Sequence, residues 1–162
     1  WLGINLFTAM IGALVIAQFE ATIERLVALA ALMPMVAGMG GNAGTQALTV
    51  TVRSLAAGEI RKGNRWRTIR KEIAVGLLNG ATFLVGGAVF ALAWIGEPVL
   101  AAVFGAALLI NLVTAAVIGT TVPMVLERLG QDPAVASSVF LTAITDVVGF
   151  FAFLGLATLF LL

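Results

Sequence analysis

Asp146 is the residue of this sequence whose surroundings point most directly to chemistry. It is the fourteenth residue of the run 133–162, in which it is the only charge. If that run is a helix across a bilayer, the carboxylate lies near its middle, where it costs about 2.5–3.5 kcal/mol on insertion scales. No Lys or Arg sits in the middle of any apolar run. The charge must therefore be offset by a proton, by hydrogen bonds from a neighbouring helix, or by a cation with its water. Ser138, Thr142, Thr145, Asp146 and Gly149 are spaced by three and four, so a helix puts them on one face. A second row, Asn42, Thr45, Gln46 and Thr49, leads to Arg53. Either row alone would serve hydrogen bonding between helices. Two such rows with one central carboxylate suit an ion path, because neutral oxygens hold a hydration shell without trapping the ion.

All of these ligands are hard oxygens, which suit Mg²⁺ or Ca²⁺ rather than soft metals. One carboxylate per chain is thin for a dehydrated divalent ion. Two copies about a dyad would bring two Asp146 carboxylates together and neutralise one such ion, and Mg²⁺ would be held through its waters. Other chemistries are closed. The chain has no Cys and no His, which removes disulfides, thiolate and imidazole zinc sites and Ser-His or Cys-His catalysis. An aspartyl enzyme would need paired carboxylates, and the only other Asp, Asp132, lies between apolar runs. Net charge is +1, so there is no basic face for nucleic acid. The expectation is a transport protein and not an enzyme.

The segment Gly38-Met39-Gly40-Gly41-Asn42-Ala43-Gly44 is dense in glycine. Gly40 and Gly44 have the spacing of a close helix contact. The alternative is that missing side chains at Gly40, Gly41 and Gly44 thin the wall or loosen the helix so that backbone carbonyls reach the path. Pro34, just upstream, favours a bend.

The elements that must position these residues follow from where charge is missing. Of 162 residues, 61% are hydrophobic and 10% charged, against about 25% charged in soluble domains. Mean hydropathy is +1.12. A soluble fold of this size could not hide so much apolar surface. Residues 1–19, 26–52, 73–96 and 98–126 carry no charge, and 133–162 carries one. Crossing a bilayer takes about 20 residues of helix, so the sequence predicts five membrane helices over approximately 1–19, 26–56, 68–95, 98–126 and 133–162. Continuous runs favour helices over a barrel of alternating strands. The expected fold is a single all-α integral membrane domain spanning 1–162. The chain opens at Trp1 without a charged leader, which reads as the edge of a longer protein and not as a signal peptide.

Eight of the nine basic residues, Arg53, Arg61, Lys62, Arg65, Arg67, Arg70, Lys71 and Arg128, fall in two connections; Arg25 alone falls in another. That bias puts the N-terminus in the cytoplasm and the C-terminus outside, in a multi-pass protein of the cell (inner) membrane. The segment 61–71 reads as a topology signal at the headgroups, with an anionic-lipid contact as the alternative. Glu97-Pro98 and Asp132-Pro133 read as helix starts. Ile4–Ala9 and Ile110–Ala115 match at five of six positions, which would make an inverted repeat of the kind transporters use. Asn79, Thr82 and Gly86, and likewise Asn5, Thr8 and Gly12, read as packing seams.

The string Pro34-Met35-Val36-Ala37-Gly38-Met39-Gly40-Gly41-Asn42-Ala43-Gly44-Thr45-Gln46, followed by Arg53-Ser54-Leu55-Ala56, resembles the second transmembrane helix of the MgtE magnesium channel and transporter family. Asp132-Pro133-Ala134 leading to Thr145-Asp146 resembles that family's fifth helix, and the likeness extends over all five runs. The resemblance implies a homodimer with its pore at the subunit interface, lined by the second and fifth helices. It implies that Asp146 of each subunit holds a hydrated Mg²⁺ with help from the backbone carbonyl of Thr142. It places Asn42 in the cytoplasmic half. Some members carry Asn where Ser138 stands, so the ligand there is a hydroxyl instead. The family's cytoplasmic N-terminal and paired CBS regulatory domains are not in this chain and are expected in the full-length protein. The function expected is a Mg²⁺-selective channel domain passing the ion down its electrochemical gradient, with no organic cofactor. The alternatives are a secondary transporter exchanging a divalent cation for Na⁺ or H⁺ through Asp146, and a non-transporting membrane subunit.

Overall fold

A computed structural model describes all 162 residues. The chain folds into six α-helices and no strands: α1 Leu2–Ala17, α2 Glu20–Arg25, α3 Ala28–Ala56, α4 Arg65–Ile95, α5 Pro98–Arg128 and α6 Pro133–Leu161. The helix ends follow local chemistry. Pro98 and Pro133 occupy first helical positions, where the missing N–H costs nothing. The Glu97 carboxylate accepts from Leu100 N at 2.5 Å, and Asp132 Oδ1 accepts from Ala134 N at 2.8 Å. Gly96 closes α4 in the left-handed region, φ +80°, and donates its N–H to Leu92 O. The six-residue α2 has no counterpart among the expected elements. It turns the chain between α1 and α3, and its Thr22 hydroxyl bonds that of Thr158 on α6 at 2.9 Å.

Three helices, α4, α5 and α6, are long and apolar enough to cross a membrane. α1 is apolar but has only 16 residues. α3 has 29 residues, but its amides, hydroxyls and glycines dilute its hydropathy. Leu2, Leu6, Leu78, Val89 and Leu159 are each more than 60% exposed. A surface of such residues belongs in hydrocarbon.

α5 is the central post. In its most apolar window 56% of residues are buried, against 11% for α4. It packs against α3, α4 and α6, while α1 rests on α6. The apolar core gathers where the start of α3, the start of α5 and the end of α6 meet. There Leu29, Leu32, Val36 and Leu100 surround Phe104 and Phe153, whose rings meet edge to face at 5.9 Å. The other half of the bundle is closed by small residues. A Cβ on Gly119 would lie 2.6 Å from Gly44 O; on the core side, beside Phe104, one on Gly105 would lie 2.4 Å from Leu84 O. Backbones approach that closely only without side chains between them.

The seam of α4 differs from the expected one. Gly76, Gly80 and Gly87 face α5, where added Cβ atoms would strike Ala116, Leu109 and Leu108. Asn79, Thr82 and Gly86 point outward, and Gly86 has open space around it. Three- and four-residue spacing recurs in both sets, so only the position of α5 decides which one packs. In α1, Gly12 is buried against Phe150 and Asp146 of α6, whereas Asn5 is exposed. The two copies of the six-residue match also sit in unlike places. Asn5 lies on a peripheral helix, and Asn111 lies fully buried at the centre.

Candidate cation-binding site

Asp146 stands half-buried on α6, beside Gly12 of α1. Its carboxylate has no hydrogen bond or ion pair in the chain, whose only salt bridge is Arg65–Glu127. The row expected on one face of α6 divides. Thr142 and Ser138 are exposed, one and two turns before Asp146, whereas Thr145 and Gly149 are buried. Thr145 Oγ1 donates to Leu141 O at 2.9 Å and lies 3.2 Å from Thr142 O. It thus touches the carbonyl one turn before Asp146 from behind. Gly149 is the gap through which Asn111 of α5 passes, its Cβ position lying 2.6 Å from Asn111 Nδ2.

The row on α3 stays together. Asn42, Thr45, Gln46 and Thr49 are all exposed on the subunit surface. Thr45 Oγ1 donates to Gly41 O and Thr49 Oγ1 donates to Thr45 O, both at 2.8 Å. These hydroxyls spend their protons on their own helix and turn lone pairs outward. A hydrated cation presents hydrogens, so such a face accepts from its water shell.

The glycines of α3 sort by face. Gly40 and Gly44 are buried, and Cβ atoms there would lie 2.2 Å from Asn111 Nδ2 and 2.4 Å from Leu141 Cδ1. These two make close helix contacts. Gly38 and Gly41 have nothing within 4 Å. α3 runs through Pro34 as a single helix.

The contacts of Gly44 with Leu141 and of Gly149 with Val36 fix α3 and α6 as antiparallel neighbours. Between those two contacts, Thr142 falls at the height of Ala43, next to Asn42, and Asp146 falls at the height of Met39. No group of three or more carboxylates comes together within one subunit. A single chain therefore offers one carboxylate and a set of neutral oxygens.

In the sequence Asn111 stands out only as part of the six-residue match. It is fully buried, donates Nδ2 to Val36 O at 2.9 Å and wedges between Gly40 and Gly149. The signal available was an amide amid an apolar run, which needs a partner at that depth. Arg65 likewise differs from the other basic residues of its segment. It is buried, pairs with Glu127 and donates Nη1 to Met124 O at 3.3 Å, which ties the start of α4 to the end of α5.

Helices clad in exposed apolar side chains, with polar groups ordered in rows, define an α-helical integral membrane protein. The chain belongs to the MgtE family: the family model, described as a divalent cation transporter, matches residues 33–156. That family comprises transporters and not enzymes. The chain is 36% identical over 161 residues to the magnesium transporter MgtE of Bacillus subtilis and 37% identical over 163 residues to that of Thermus thermophilus. It is 34% identical over 161 residues to the magnesium transporter MgtE of Enterococcus faecalis. Each match takes in 99% of this chain and 36% of the relative. The chain thus spans about a third of the length of these relatives.

Proposed function

We propose that this chain is the pore-forming part of a Mg²⁺ channel, built as a homodimer in the cell's inner membrane. The observation that carries this reading is the exposed face of α3 and α6. Asn42, Thr45, Gln46, Thr49, Ser138 and Thr142 lie open at the subunit surface beside the half-buried, unpaired Asp146. Polar groups at that depth are expensive against lipid and useful against a water-filled path.

Two copies related by a dyad face their α3 and α6 helices across the path. Asp146 from each subunit supplies the charge that attracts a hydrated Mg²⁺, and the Thr142 carbonyl accepts from its water. Asn42, Thr45, Gln46, Thr49 and Ser138 carry the shell onward. In this reading Thr145 and Gly149 act from behind, the first on the Thr142 carbonyl and the second by admitting Asn111. Five crossings, by α1, α3, α4, α5 and α6, leave the N-terminus in the cytoplasm and the C-terminus outside. Gating belongs to cytoplasmic domains of the full-length protein.

The test is Mg²⁺ flux into proteoliposomes under a negative-inside potential. Flux should follow voltage without a Na⁺ or pH gradient and collapse with Asp146→Asn. A requirement for a counter-gradient would replace the channel by an exchanger working through Asp146. Unchanged flux in Asp146→Asn would remove Asp146 from the path.

A further inference from the structure

A second polar assembly lies on the α4 side of α3, adjoining the α3–α6 face at Gln46. α3, α4 and α5 line a groove of about 300 Å³, open on its outer side and floored by Gly76 of α4 and Ala116 of α5. Four of its lining residues carry polar side chains: Gln46 from α3 and Lys71, Glu72 and Asn79 from α4. None of the four has a hydrogen bond or an ion pair in the chain, which holds a single salt bridge elsewhere. Glu72 is half-buried. Eight residues of α4 separate Lys71 from Asn79, about 12 Å along the helix at 1.5 Å per residue. The charges of α4 all lie between Arg65 and Glu72, and 73–95 carries none. Lys71 and Glu72 therefore mark the level where headgroup gives way to hydrocarbon, and Asn79 lies about two turns deeper.

Amides left without partners on the outer side at hydrocarbon depth, and an unpaired Lys–Glu couple at the rim, call for an occupant with matching groups. The occupant needs an anion for Lys71 and a hydrogen-bonding cation for Glu72. It also needs carbonyl acceptors for the Gln46 and Asn79 amides, and an apolar continuation. A free divalent cation fits poorly, because Lys71 repels it. We propose that the groove is a binding site for a glycerophospholipid whose headgroup carries a primary ammonium, of the phosphatidylethanolamine class. Lys71 meets the phosphate, Glu72 accepts from the ammonium, and the two amides donate to the ester carbonyls. Its acyl chains continue along the exposed apolar side of α4, where Leu77 and Leu78 are more than half exposed. Of the residues assigned to the ion path, only Gln46 also lines this site.

The experiment is native mass spectrometry of the delipidated protein with added palmitoyl-oleoyl phosphatidylethanolamine or phosphatidylcholine. The first lipid should be retained about tenfold more tightly, because a trimethylammonium cannot donate to Glu72. Glu72→Gln should erase that preference, and Lys71→Gln should weaken both lipids. Neither side chain has a partner in the chain, so both variants should elute as the parent does. Equal retention of the two lipids, or a preference that survives Glu72→Gln, would overturn the assignment. A second measurement reads the groove itself. Maleimide labelling of Asn79→Cys should be slowed by phosphatidylethanolamine. Protection that is already complete without lipid would mean that the partner subunit covers the groove, and would overturn the proposal as well.

Discussion

At the scale of single residues, Asp146 and the glycines of α3 and α6 make separate predictions. Replacing Asp146 by Asn keeps size and hydrogen bonding but removes the charge that would face the ion. Mg²⁺ flux should fall at least about tenfold, the equivalent of about 1.4 kcal/mol lost at the site. The same change should leave melting in detergent unaltered or raised, because an unpaired charge is removed from an apolar helix. The glycines test packing. Gly40→Ala and Gly149→Ala push a methyl into Asn111, at 2.2 and 2.6 Å from its Nδ2. Each should cost about 1–3 kcal/mol of stability, as overpacking does. Gly41→Ala adds its methyl to open space and should leave the melting of the subunit unchanged. Thermal unfolding of the three variants side by side checks the contrast.

At the scale of elements, the start of α4 is held to the end of α5 by Arg65. Its guanidinium is buried between the Glu127 carboxylate and the Met124 carbonyl, while Glu127 itself is 42% exposed. Solvent screens the pair from the Glu127 side, so the attraction itself is modest. Leaving Arg65 buried without it is the larger effect. Glu127→Ala should lower stability by about 1–3 kcal/mol. It should also speed amide exchange in the first turns of α4, which hydrogen-exchange mass spectrometry reads directly. The double variant Arg65→Met with Glu127→Leu should recover much of the loss, because no buried charge is then left unpaired. Together with the Gly105–Leu84 contact farther along the helix, Arg65 holds α4 on the central post at two levels.

At the scale of the whole molecule, the open polar face needs a neighbour. α3 and α6 carry hydroxyls and amides on a surface otherwise clad for lipid, and Gly38 and Gly41 leave room for close approach. In the proposed dimer, Cys introduced at Asn42 or Ser138 should cross-link between copies on oxidation. Cys introduced at Val89, which is 62% exposed on the outer side of α4, should not. Non-reducing gels of the three variants in membranes give the answer. Cross-linking through Val89 in place of Asn42 would move the interface to another face.

That this chain is helical and suited to a bilayer is legible without coordinates, because hydrophobic content and the spacing of charges depend on composition and order alone. The starts of α5 and α6 are also legible there, since Pro98 after Glu97 and Pro133 after Asp132 are local signals that the caps obey. Tertiary structure decided which face of each helix is buried. In α6 the three- and four-residue spacing put Ser138, Thr142, Thr145 and Gly149 in one row. The positions of α3 and α5 turned Thr145 and Gly149 inward and left the other two outside. In α4 the same ambiguity was settled for Gly76, Gly80 and Gly87 and against Asn79, Thr82 and Gly86. The role of Asn111 was invisible for the same reason: its partners, Val36, Gly40 and Gly149, come from two other helices. Periodicity along one helix names sets of residues that share a side, but only a neighbouring helix, placed by contacts far apart in the chain, decides which side that is.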